Sequence, residues 1–199
     1  MQRATLTSDD FKKCADFHGH ICPGLAIGYQ AATAAMAWLE EHRAGDEEVV
    51  AIVETDACGV DAVQVLTGCT FGKGNFIYKD HGKQVFTFIS RKSGEGVRIA
   101  MKPGVIELDK RHQELLGKVM AESATEEERE EFWVIHRKKS LEILEKPAEA
   151  LFTIRAVDIA LPPKARIESS IPCRLCGEPT MASKLADQDG HKVCKDCFA

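Results

Sequence analysis

Two cysteine pairs near the carboxyl terminus, Cys173-Arg-Leu-Cys176 and Cys194-Lys-Asp-Cys197, constrain the fold of this chain more than any other feature. Seventeen residues separate the pairs, the spacing of a four-cysteine zinc finger. Residues 171–199 carry few large apolar side chains, so this segment cannot bury enough surface to fold unless four thiolates gather on one ion. Zinc is the expected ion. From Lys164 onward six Lys or Arg face five Asp or Glu, which gives the finger a structural or docking character rather than a nucleic-acid footprint. Residues 162–170, with Pro162, Pro163 and a polar tail, read as a linker.

Residues 1–161 are then the main domain. A formal net charge of -5 argues against a protein that coats nucleic acid or an anionic membrane. The chain has no apolar run of about 18 residues, and its first ten residues lack the apolar core of a secretory signal. The expected location is the cytoplasm. In that compartment the eight cysteines are expected as reduced thiols and metal ligands rather than disulfides.

The pattern of elements is α+β. Thr7-Ser8-Asp9-Asp10 can cap a helix running from Phe11 through Phe17, and Pro23 can open a long alanine-rich helix over Gly24 to Glu41. Val49 to Thr55 is β-branched and apolar, as a central strand requires. A helix over Val60 to Leu66 follows. Phe76 to Lys79 and Gln84 to Ile89, joined by Asp80-His81-Gly82-Lys83, read as a hairpin. Val97 to Met101 and Leu151 to Val157 add strands, which brings a sheet of about five strands within reach. Asp109 to Met120 and Glu126 to Glu145 are helical, the latter opened by the capping-box pair Thr125 and Glu128. Its Phe132, Trp133, Ile135, Leu141, Ile143 and Leu144 are too many apolar residues for a solvated helix and predict packing on the sheet or on a second copy, hence a homodimer.

Chemistry concentrates in Cys14-Ala-Asp-Phe-His18-Gly-His20-Ile-Cys22-Pro-Gly24. Neutral imidazole and thiolate bind borderline metals, and alternate residues of an extended chain share a face, so His18, His20 and Cys22 can converge on zinc or another divalent ion. Cys22 sits where the following helix dipole would lower a thiol pKa. Cys58 lies in the loop after the central strand, a common place for active residues, and Cys69 is the next ligand candidate. Cys14, between Phe11 and Phe17, reads as core packing. Asp56 and Glu54 are candidate bases or orienters of a ligating histidine, and Lys73, between Gly72 and Gly74, a candidate partner for an anion. His42, His112 and His136 lie on helical stretches amid charge and read as solvated.

Phe17-His-Gly-His-Ile-Cys-Pro-Gly24, followed by Glu54-Thr-Asp-Ala-Cys58 and Thr67-Gly-Cys-Thr-Phe-Gly-Lys-Gly-Asn75, resembles the family of E-type subunits of formylmethanofuran dehydrogenase and their stand-alone relatives. The resemblance implies a core with a thioredoxin-like sheet, a treble-clef zinc finger formed by Cys173 to Cys197, and a core active site able to hold zinc on His18, His20, Cys22 and Cys58. It also implies association with molybdenum or tungsten formylmethanofuran dehydrogenases. Three roles are compatible with these residues: a metal-dependent catalyst using Cys22, Cys58, Asp56 and Lys73, an accessory or metal-delivery subunit, and a thiol oxidoreductase in which Cys22 meets Cys58 or Cys69.

Overall fold

A computed structural model describes residues 8–198 and divides the chain into two compact units, 1–164 and 165–199. Thr7, offered above as a cap, lies outside the described residues. In the first unit the order of elements is α1 (Asp9–His18), α2 (Pro23–Trp38), β1 (Val49–Val53), α3 (Gly59–Thr67), β2 (Phe76–Tyr78), β3 (Val85–Ser90), β4 (Gly96–Met101), α4 (Lys110–Met120), α5 (Glu126–Glu145), α6 (Ala148–Leu151) and β5 (Phe152–Val157). Five strands form one mixed sheet in the order β2-β1-β3-β4-β5.

β1 is buried at every position and therefore takes hydrogen-bonded neighbours on both edges, parallel β2 on one and antiparallel β3 on the other. This corrects the hairpin expected between Phe76–Lys79 and Gln84–Ile89, because β1 lies between those two strands. The Asp-His-Gly segment instead straps the carboxyl end of β1: the Lys79 amide donates to Val53 and the Lys83 amide to Glu54. Local turn chemistry was right about the bend, but the strongest apolar strand claimed the central place.

The side-chain alternation of β1 divides the interior. Val49, Ala51 and Val53 join the helical core, whereas Val50 and Ile52 meet Ile89 and Ile77 on the other face. α2 lies in the middle of the helical layer, and its buried Ala26, Ala31, Ala32 and Ala35 let neighbouring helices approach. It ends at Trp38, short of Glu41, with Glu40 in a left-handed conformation (φ 52°). The buried Gln30 amide donates to the carbonyls of Ile143, Leu144 and Lys146, which satisfies otherwise unpaired groups at the carboxyl end of α5.

α5 carries the expected capping box, with Thr125 and Glu128 exchanging bonds. Its Phe132, Ile143 and Leu144 are buried, and it packs on α2 and α4 rather than on the sheet; Trp133 and Val134 stay exposed. His112 and His136 are not the solvated residues that the surrounding charge suggested. His112 is fully buried, and its Nε2 lies 2.7 Å from Nδ1 of His136. Burial pushes both imidazoles down, His136 to about 4, so the pair is neutral near pH 7. Nδ1 of His112 is buried without a partner among the described residues. Placing the proton on Nε2, donated to His136, leaves only a lone pair unmatched, which costs less than a stranded N–H.

The second unit contains two short hairpins, β6 (Ser170–Pro172) with β7 (Pro179–Met181) and β8 (Ala186–Gln188) with β9 (His191–Val193). Pro162 and Pro163 belong to the first unit, where both carbonyls accept from Arg91.

Candidate metal centres

The four finger cysteines converge, their sulfurs all within 4.8 Å of one another. Cys173 follows β6 and Cys194 follows β9, so each hairpin presents one pair. The Cys176–Cys194 sulfur separation is 3.9 Å, against about 3.8 Å for the edge of a tetrahedron with Zn–S bonds of ~2.3 Å. The backbone N–H groups of Cys176 and Cys194 pull the Cys173 thiol down to about 6, which favours the thiolate that a cation needs. The donor set fits one ion.

The core group forms where three helix ends meet. His18 is the last residue of α1; Gly19, at φ 89°, then turns the chain so that His20 and Cys22 come back toward it. His18 is thus helical, not part of an extended run, and the turn rather than strand alternation gathers the three. Cys22 caps α2, its sulfur accepting from the Leu25 amide at 3.3 Å. Cys58 stands at the matching position before α3, without a side-chain capping bond.

Glycines bring the two caps together. A Cβ on Gly28 would lie 2.0 Å from the Gly59 carbonyl oxygen, and one on Gly24 only 3.1 Å from the Cys58 Cβ. Backbone therefore touches backbone where α2 meets α3, and the two thiols end up side by side. One ligand atom from each of His18, His20, Cys22 and Cys58 lies within 4.8 Å of the other three. His18 Nε2 is 3.8 Å from the Cys22 sulfur, close to the ~3.6 Å edge expected between a nitrogen and a sulfur on one tetrahedral zinc.

Asp61 was missed by the reading of the sequence. Its carboxylate sits 2.7 Å from His18 Nδ1, so the N–H faces Asp61 and the Nε2 lone pair faces the thiols. The signal was present: Asp61 lies three residues after Cys58, and i, i+3 positions share a helix face. Glu54, suggested for such a role, is occupied by Arg98 at 3.0 Å and His81 at 3.2 Å.

The other candidates lie elsewhere. Cys69 is buried with its thiol donating to the Val49 carbonyl, and the nine residues of α3 place it about 13 Å along the helix from Cys58. Cys22 lies beside Cys58, so that distance also removes Cys69 as a disulfide partner for Cys22. Lys73 donates to the Asp46 carbonyl, and Asp56 is exposed. Cys14 is fully buried in the core, as expected. The helix dipole does not lower Cys22: burial and the neighbouring Cys58 outweigh the Leu25 amide and push the thiol up to about 12. Two crowded thiols of this kind ionise together only when a cation sits between them.

Residues 17–153 match the family model described as FmdE, Molybdenum formylmethanofuran dehydrogenase operon. The chain belongs to the FmdE family. A probable S-adenosyl-L-methionine-binding protein of Archaeoglobus fulgidus is 36% identical over 185 residues, covering 88% of this chain and 50% of that protein. This FmdE-family chain thus spans half the length of that relative. A solved tungsten formylmethanofuran dehydrogenase FmdE-like protein from Syntrophus aciditrophicus shares the fold, with a TM-score of 0.60 at 24% identity over 99% of this chain and 96% of that one. No helix among the described residues is long and apolar enough to cross a membrane.

Proposed function

We propose that the FmdE-family core holds one divalent metal ion, zinc by donor type, on His18, His20, Cys22 and Cys58, and that the finger holds a second, structural zinc. The convergence of two thiols at helix starts and two imidazoles, one oriented by Asp61, carries this reading. A cation at such a site supplies Lewis-acid chemistry, polarising a carbonyl or activating water. The protein's own contribution is to hold His18, Cys22 and Cys58 at helix ends, to bring His20 beside them and to keep the His18 tautomer.

Cobalt(II) substitution tests the proposal. A wild-type chain with a core cobalt signal that Cys22→Ser or Cys58→Ser removes supports it, and a signal unchanged by both substitutions overturns it.

A second reading is a thiol oxidoreductase, favoured by the closeness of the Cys22 and Cys58 sulfurs, within 4.8 Å. Thiol titration before and after mild oxidation decides it; no loss of core thiols removes it. In either case we propose a homodimer, and docking on a molybdenum or tungsten enzyme, through surfaces that include the exposed Val134 of α5. A monomeric mass under native conditions would refute the dimer.

A further inference from the structure

The four core donors are not held equally. His18 is fixed by Asp61 and only 12% of its side chain is exposed. Cys22 is buried and held by the Leu25 amide, and Cys58 rests against Gly24 at the start of α3. His20 is different. It is exposed, stands in the short link between Gly19 and Cys22, and has no hydrogen-bond partner on either ring nitrogen among the described residues. Its neighbours are rings: His18 at 4.4 Å between centroids and the edge of Trp133 at 5.7 Å. Metal-bound histidines nearly always pass their second N–H to a carboxylate or carbonyl, and removing such support weakens binding about 10- to 100-fold.

Resting on the metal-centre reading above, we infer that His20 is an exchangeable donor whose place on the metal is taken by a neutral carbonyl oxygen carried on an apolar body. Three firm donors remain, two thiolates and one imidazole, a set that suits a centre with a free fourth position. Charge selects the incoming atom. Two thiolates already cancel a divalent cation, and the Asp61 carboxylate stands behind His18, so an anion would add uncompensated negative charge at a half-buried site whereas a carbonyl would not. Trp133, 46% exposed on α5, gives the apolar body a surface beside His20.

The test uses the full chain loaded with cobalt(II), with N-cyclohexylformamide as the neutral carbonyl probe and azide as the anionic one, read by the visible d–d bands of the core. His20→Ala should keep its core cobalt and bind the formamide about tenfold more tightly than wild type, because no internal donor competes. His18→Ala should lose the core cobalt while the finger cobalt stays. Trp133→Ala should weaken the formamide about tenfold by removing an aromatic contact. An empty core in His20→Ala with an intact finger, wild-type bands that the formamide never moves, or tighter binding of azide than of formamide would each overturn the inference. A wild-type core that takes no cobalt would overturn the metal-centre reading itself, so the two failures are distinguishable.

Discussion

Replacing Gly28 with Ala perturbs the core centre without touching a donor. The added Cβ would lie 2.0 Å from the Gly59 carbonyl oxygen and 2.4 Å from the Gly59 Cα, both backbone atoms that cannot rotate away. Reaching even a tight contact of about 3 Å requires α2 and α3 to part by about 1 Å. Overpacking of this kind costs about 1–3 kcal/mol, and the better helix propensity of alanine returns about 1 kcal/mol, so the net loss of stability is about 0–2 kcal/mol. The effect on the metal is larger. Cys22 stands at the start of α2 and Cys58 at the start of α3, and ligand distances tolerate only about 0.2 Å, so a helix shift of about 1 Å takes the two thiols out of reach of one ion. Gly28→Ala should therefore melt at most several degrees lower yet lose its core metal while keeping the finger metal. Metal content and a thermal melt on the same sample check this. Full core loading at wild-type affinity would refute the argument that the glycine contact sets the thiol separation.

Asp61→Asn should lower core metal affinity about 10- to 100-fold, because the amide no longer holds the His18 N–H as an anion does; competition with a chromophoric chelator reads it. His136 is pushed from 6.5 to about 4 by burial first, then by His112 and His20, so the unfolded chain binds its proton more readily. Stability from this group is complete above pH 6.5 and is lost as pH falls toward 4. With the ring half-buried the loss is about 1–2 kcal/mol, and His136→Leu should flatten that limb of a denaturation-against-pH curve. Cys173→Ser should release the finger metal to a mild chelator and leave the core metal in place, seen as one of two metal equivalents lost.

Much of the site was legible because its parts are local. The finger pairs, Pro23 opening α2 and the capping box of α5 each depend on residues a few positions apart, and the structure has all three. What escaped depends on distance in sequence. Strand order could not be read from the Asp-His-Gly bend, since β1 entered between β2 and β3 through burial on both faces. His112 and His136 looked solvated because their sequence neighbours are charged, whereas they point at each other across α4 and α5. Cys69 looked like a ligand by its type, yet α3 carries it to the far end from Cys58. Gly28 and Gly59 gave no signal in the sequence, because nothing in either segment says that they meet.

The central claim is that His18, His20, Cys22 and Cys58 hold an ion of their own, separate from the finger. Elemental analysis of metal per chain tests it most directly, comparing wild type with Cys22→Ser/Cys58→Ser and with Cys173→Ser/Cys176→Ser. The account predicts two equivalents in wild type and one in each double variant, with the core ion lost in the first and the finger ion in the second. A wild-type chain holding one equivalent, unchanged by the core substitutions and abolished by the finger substitutions, would contradict it.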